Sequence, residues 1–272
     1  MWIFTPDAGT SKSDGLDRGL QFGDGLFETM RLQNGRIMAF KRHIARLESG
    51  IQRLALPPSD HLSACILQAA DDLMRCAQID TGVLKLIYTR GLGGRGYLPG
   101  TSRACWYLSL SELPAASVNA LTLGIAQTQA GIQRQLAGLK HLNRLENVLA
   151  RMECEFQGCD EVLMLNAFDE VIEASAHNIF MVIEGRLYTP SLQHSGVQGV
   201  MRGRILDFCR AQGIDCHESV IGRNLLPHIE AAMLSNSIFG PRPVKSLDGK
   251  NLAEHPLINT IIRAYASGIL NE

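Results

Sequence analysis

The chain has 272 residues, 46% of them hydrophobic and 19% charged, with a formal net charge of −1. That size and apolar content give enough interior for one large or two modest cores and exclude intrinsic disorder. The near-neutral charge excludes a general polyanion binder, so nucleic acid is not an expected partner; no apolar run has the length of a membrane span and MWIFTPDAGTSKSDG lacks the regions of a signal peptide, which makes the cytoplasm the expected compartment.

In chain order, short apolar runs predict strands at Leu26 to Leu32, Arg36 to Phe40, Val83 to Arg90 and Cys105 to Ser111. Helical spacing falls between them, near His43 to Leu54 and His61 to Ala77. A small α/β domain over residues 1–112 follows, with Pro114 and a cluster of small residues marking 113–119 as a linker. Residues 120–272 read as a larger, strand-rich domain, with strands at Leu121 to Thr128, Glu161 to Ala167, Asn178 to Ile183, Arg186 to Thr189, Asp215 to Ile221 and Ala231 to Asn236. Helices are predicted after Lys140 and after Gly199. The fold class is α/β (α+β) in two domains.

Several chemistries have no sequence support. The seven cysteines show no CxxC spacing and their odd number forbids complete pairing within the chain, so reduced thiols are expected. No HExxH points to zinc and no GxSxG to a serine hydrolase. Gly91 to Gly96, GLGGRG, fits a dinucleotide fingerprint in form only. Such a fingerprint opens a helix at its last glycine, whereas Gly96 is followed by a proline turn and a strand. A tight loop carrying Arg95 and Tyr97 is the better reading.

Lys140 and Glu173 stand out as a pair. Lys140 precedes Leu142, Leu145, Val148, Leu149, Met152 and Phe156, near helical spacing, so it is expected at a helix start whose partial positive charge suits a lysine used as a Schiff-base amine. Glu173 has the chemistry to keep a pyridine nitrogen protonated. Taken alone, each is a solvated side chain far more often than a catalytic one.

The surrounding wording is more specific. QFGDGLFETMRL (Gln21 to Leu32), HIARL (His43 to Leu47), LKHLNRLENVLAR (ending at Arg151) and EASAHNIF (ending at Phe180) occur in order across most of the chain. Together they resemble the fold-type IV pyridoxal phosphate enzymes, the branched-chain and D-amino-acid aminotransferase superfamily, and within it the aminodeoxychorismate lyases. The resemblance implies pyridoxal 5′-phosphate as cofactor, a pseudo-barrel for the larger domain, a small-molecule substrate and a homodimer. It implies Lys140 and Glu173 on the cofactor and Arg46 on its phosphate. From the pattern alone Arg46 lies beside the buried stripe of Ile44, Leu47, Ile51 and Leu54 and reads as solvated.

The resemblance places the phosphate at the helix opening after Gly199, where Val200 and Met201 offer N–H groups and glycine permits close approach, and it implies a further contact from Asn236 or Ser237. Arg202 in the same helix turn can equally cap a neighbouring segment. Arg95, in RGLGGRGY, is implied on a substrate carboxylate. Alternation along LFETMRL puts Phe27, Thr29 and Arg31 on one strand face and Glu28, Met30 and Leu32 on the other. Thr29 stands where the lyases resemble one another, which implies a proton relay to the leaving group and the release of pyruvate from 4-amino-4-deoxychorismate. A branched-chain or D-amino-acid aminotransferase is the alternative.

Overall fold

The computed structural model describes residues 2–4, 16–93, 96–100, 103–115 and 120–270. The chain divides into two compact units, Met1–Ala115 with Leu139–Asn143, and Ala116–Gly138 with Arg144–Glu272. A plan of two continuous domains joined by one linker has no place for the return of Leu139–Asn143 to the first unit.

The first unit contains β1 (Trp2–Phe4), α1 (Arg18–Phe22), β2 (Gly25–Gln33), β3 (Arg36–Ile37), α2 (Phe40–Arg53), α3 (Leu62–Ala77), β4 (Gly82–Thr89) and β5 (Cys105–Glu112). The strands form an antiparallel sheet in the order β1-β5-β4-β2-β3. Period-two alternation decides its faces. Met30, Leu32, Leu84, Leu86, Leu108 and Leu110 are buried, and α2 and α3 bring Ile44, Leu47, Ile66, Ala70 and Leu73 to the core. Each such leucine contributes about 1.5–3 kcal/mol of transfer free energy. Phe27, Thr29 and Arg31 point to the other face and stay half-buried. The strand expected over Arg36 to Phe40 stops at Ile37, because Ala39 takes a left-handed φ of 52° and α2 opens at Phe40.

The second unit contains β6 (Leu121–Ile125), α4 (Leu145–Gln157), β7 (Glu161–Leu165), β8 (Val171–Ala174), β9 (Asn178–Ile183), β10 (Arg186–Pro190), α5 (Val200–Ala211), β11 (Cys216–Ser219), β12 (Ile229–Asn236), β13 (Gly240–Leu247), β14 (Lys250–Asn251) and α6 (Pro256–Ala266). Its mixed sheet runs β11-β10-β9-β12-β13-β6-β7-β8, with β14 on β13. Val171 of β8, at one end of that order, shares a buried cluster with Ile179, Leu234 and Leu123 of β9, β12 and β6, so the sheet curls around it. The outer residues Phe180, Val182, Ala231 and Met233 pack on Met201 and Ile205 of α5 and Ile258 and Ile261 of α6.

Two sequence expectations change here. The helix after Lys140 opens only at Leu145, and it docks through Ala150 and Cys154 against Val162, Met164 and Ile172. The apolar stripe read at helical spacing is largely exposed, Phe156 to 94% and Leu145 to 71%. β8, β13 and α6 were not expected. Among the described residues no helix is long and apolar enough to cross a membrane.

Leu139–Asn143 lies along the start of β2. Phe27 N–H donates to Lys140 O (2.9 Å) and Leu142 N–H to Gly25 O (3.0 Å). A Cβ at residue 25 would sit 2.4 Å from Tyr88 O and 2.9 Å from Leu142 Cδ1, so only glycine allows this approach. Gly25→Ala should therefore destabilise the protein by about 1–3 kcal/mol, the usual cost of overpacking, as read by urea denaturation. An unchanged midpoint would show that the segment tolerates displacement.

Candidate active site

In the first unit, Lys140 sits on an extended segment rather than at a helix start. Its position is set by the backbone bonds to β2, and a helix dipole acts only within the first turn, which begins beyond it. The Nζ atom lies 4.3 Å from the centroid of the Phe27 ring, and Lys85 Nζ lies 5.5 Å from the same centroid. Thr29 follows Phe27 on that face of β2 and pairs with Lys85 in register. Lys140, Phe27, Thr29 and Lys85 thus share one cationic face of the sheet. His141 and Asn143 lie on the same segment, Arg144 beginning the return to the second unit, and Asn143 Nδ2 donates to Gly23 O (3.3 Å), which holds the turn before β2.

The buried face of β2 carries a group that the sequence reading passed over. Glu28 is 1% exposed and receives both arms of the Arg46 fork, Nε on Oε1 (2.8 Å) and Nη2 on Oε2. His43 Nδ1 meets Oε2 at 2.6 Å. Arg46 is therefore held by a carboxylate under the sheet and not left as a solvated surface residue. Burial pushes the Glu28 carboxyl up, but the Arg46 charge and the bonds from His43 and Arg46 outweigh it and leave its pKa lowered. Burial holds the His43 pKa below its ordinary value, with Arg46 and Lys140 adding in the same direction and Glu28 opposing.

In the second unit, Glu173 lies on β8 and is 7% exposed. Its Oε2 accepts from Val197 N–H (2.9 Å) and from Asn178 Nδ2 (3.2 Å). The turn between β8 and β9 is fixed by Glu161, whose carboxylate takes the Ser175 hydroxyl and His177 Nδ1 (2.8 Å). Burial raises the Glu161 pKa and these bonds, with the His177 one foremost, bring it below the usual range. His177 therefore serves the turn.

The sequence Val197 to Met201 leads into α5, whose cap is Gly199. Helix geometry leaves the first-turn N–H groups, those of Val200 and Met201 among them, without intrahelical acceptors, as an anion site requires. Arg202 instead donates Nη2 to Pro190 O (3.0 Å) and Glu218 Oε2 (2.8 Å), tying α5 to β10 and β11. Asn236 is spent on its own turn, its Oδ1 accepting from Ile238 and Phe239 N–H, which favours Ser237 of the two candidates. Ser235 was missed: it is 1% exposed, its Oγ has no hydrogen-bond partner among the described residues, and it lies opposite Asn178 on the strand face that packs on α5. Alternation from Met233 was the available signal.

Arg95 lies outside the described residues. Arg18, which is buried, donates to Gly96 O (3.0 Å) and Tyr97 O (2.8 Å). No helix follows Gly96 among the described residues, as the reading against a dinucleotide site required.

The residues of each unit have the chemistry pyridoxal phosphate needs. The second unit offers a buried carboxylate held by two N–H groups for the ring nitrogen and a helix opening capped by glycine for the phosphate, and the first unit offers a lysine fixed by backbone pairing for the aldehyde carbon.

Comparison with known proteins agrees with that fit. Residues 25–247 match the family described as amino-transferase class IV. An aminodeoxychorismate lyase from Vibrio harveyi is 31% identical over 247 residues, covering 89% of this chain and 90% of that protein. A D-alanine aminotransferase from Listeria innocua is 28% identical over 244 residues, covering 88% and 83%. The crystal structure of 4-amino-4-deoxychorismate lyase from Pseudomonas aeruginosa superposes with a TM-score of 0.87 at 37% identity, covering 98% of both chains. The Escherichia coli branched-chain amino acid aminotransferase, at 19% identity and a TM-score of 0.85 with 98% and 93% covered, shares the fold.

The Glu28 network makes the first unit acid-sensitive. With its folded pKa lowered, His43 is neutral where the unfolded chain already binds a proton, so stability falls as the pH drops below about 6.5. Glu28, also lowered, holds its contribution above the ordinary carboxylate value and loses it as the pH falls toward the folded one. Urea midpoints should decline between about pH 7.5 and 5, and His43→Asn, which donates without titrating, should flatten the upper part of the decline. Equal slopes in both proteins would remove His43 as the cause.

Proposed function

The chain belongs to the amino-transferase class IV family, whose members depend on pyridoxal phosphate, and from that premise we propose that it is the lyase that converts 4-amino-4-deoxychorismate to 4-aminobenzoate and pyruvate. The observation that carries the reading is the face of β2: Thr29 lies on the face whose Phe27 ring meets Lys140 Nζ at 4.3 Å. That puts a hydroxyl and an amine on one face, as an elimination needs when one group removes a proton and another delivers one. The lyases from Vibrio harveyi and Pseudomonas aeruginosa support the same choice at 31% and 37% identity.

Bound pyridoxal phosphate supplies an electron sink for the pair released at the carbon bearing the amine. Lys140 Nζ removes the proton from C4 of the substrate. The C3–O bond then breaks, the enolpyruvyl group departs, and the ring left behind is aromatic. Thr29 Oγ1 relays a proton to the departing group, which becomes pyruvate. Glu173, whose Oε2 accepts from Val197 N–H and Asn178 Nδ2, would hold the proton at the ring nitrogen of the cofactor. Arg46, oriented by Glu28, and the N–H groups of Val200 and Met201, with Ser237, would hold the phosphate. Arg95 takes a substrate carboxylate.

The protein acts as a homodimer in this reading, through the exposed stripe of α4. Leu145, Val148, Leu149, Met152 and Phe156 recur at helical spacing, and a twofold axis lays such a stripe on its own copy with both halves covered. Val148→Glu with Met152→Glu should convert a dimer to a monomer by light scattering. A dimer that survives the double change would remove that face from the interface.

The reaction itself is tested with cofactor-loaded protein and enzymatically made aminodeoxychorismate in the absence of any keto acid. Pyruvate and 4-aminobenzoate should form in equal amounts, and Lys140→Ala and Thr29→Val should each lower the rate, Lys140→Ala by about 10²–10⁴-fold. Product formation only when 2-oxoglutarate and a branched-chain or D-amino acid are supplied would make the chain an aminotransferase.

A further inference from the structure

Asn178, the first residue of β9, enters the reaction derived above only as a hydrogen-bond donor to Glu173; it is 7% exposed, and its polar atoms meet Glu173, Val197 and the Cβ position of Gly199. Its Nδ2 has two N–H groups, and both are used: one on Glu173 Oε2 (3.2 Å), the other on Val197 O (2.9 Å). Val197 N–H donates to the same Oε2 (2.9 Å). Residue 197 is thus tied to Glu173 directly through its N–H and indirectly, through Asn178, by its carbonyl. The Oδ1 atom lies against Gly199, where a Cβ would stand only 1.9 Å away.

We infer that Asn178 is a positioning residue that locks the Glu173 carboxylate and the opening of α5 into one rigid piece, so that the groups for the ring nitrogen and for the phosphate are held at a fixed separation. The inference rests on the reading of Glu173 and α5 as cofactor-binding. An amide suits the task because it donates hydrogen bonds without adding charge. A lysine or arginine in its place would neutralise Glu173 and compete with the ring nitrogen, and a carboxylate would repel it. The amide is held by its own bonds to Glu173 and Val197, and Asn178 is fixed on the sheet by its register with Ser235 of β12.

The test is the affinity for pyridoxal phosphate, measured by fluorescence quenching in wild type, Asn178→Ala, Asn178→Asp and Gly199→Ala, with each value taken relative to wild type at the same pH. Asn178→Ala should weaken binding about 10–100-fold at every pH, the usual effect of deleting a hydrogen bond to a charged group. Asn178→Asp should be weakened comparably at about pH 8.5, where two carboxylates face each other, and should recover most of the loss at about pH 5.5, where a protonated aspartic acid donates to Glu173 in place of the amide. Gly199→Ala, which displaces Oδ1, should follow Asn178→Ala. Should the alanine variant fail to fold, the aspartate variant carries the test alone, because a misfolded chain does not regain affinity on acidification. Wild-type affinity in Asn178→Ala, or a pH-independent loss in Asn178→Asp, overturns the inference while leaving the cofactor reading intact. Failure of the wild type to bind pyridoxal phosphate overturns that reading and the inference with it.

Discussion

Two backbone hydrogen bonds, Phe27 N–H to Lys140 O and Leu142 N–H to Gly25 O, set the register of Lys140. A side-chain contact would leave a long, flexible lysine stem to find its place at an entropic cost of about 2 kcal/mol. Backbone pairing fixes the Cα beforehand. The cost is borne by Gly25, which must stay bare because a strand carbonyl and Leu142 stand where its Cβ would go. Once Leu139–Asn143 is seated, Thr29 and Lys85 fall on the same sheet face by alternation alone.

β2 therefore does two jobs with its two faces. One presents Phe27 and Thr29; the other buries Glu28 against His43 and Arg46. A buried carboxylate without partners would not persist in the charged form, and a buried pair is weak evidence for stability in itself. Its value here is geometric. The fork of Arg46 is oriented by both oxygens of Glu28, so a side chain that alternation and helical periodicity would leave in solvent is held within the fold. Glu161 plays the same part for Ser175 and His177, fixing the turn that separates β8 from β9.

Much of this was legible in the sequence where one periodicity governed. The faces of β2, the strands β4 and β5, and the helices α2, α3 and α5 follow from alternation or from helical spacing, while β9, buried on both faces, is legible as a continuous apolar run. The pattern misled at α4, where Leu145, Val148 and Leu149 mark an exposed stripe while small Ala150 and Cys154 make the contact with β7 and β8. Hydrophobic spacing reports apolar surface and does not say which body covers it. β13 was hidden by Pro241 and Pro243, which argue against an interior strand. The sheet accommodates them because β6 pairs with β13 only from Val244 onward, so both prolines lie where β12 is its one neighbour among the described strands. β8 has four residues, too few to show a period, and Glu173 on it was recognisable from wording alone.

The lysine and the two carboxylates illustrate a further limit. Lys140 looked like a helix-start residue because an apolar helical pattern follows it, but Asn143 and Arg144 intervene before α4, and Asn143 is engaged with Gly23. The helix could not supply the electrostatic setting assumed for the lysine. Near it are a second lysine at the same Phe27 ring and the Glu28–His43–Arg46 group on the other face of the strand, which couples to it closely enough for Lys140 to help depress the His43 pKa. Neutral His43 donating to Glu28 leaves that carboxylate with Arg46 as its one cationic hydrogen-bond partner. A protonated His43 would add a second positive charge beside Lys140, so the burial that keeps the imidazole neutral also limits the positive charge gathered around the lysine.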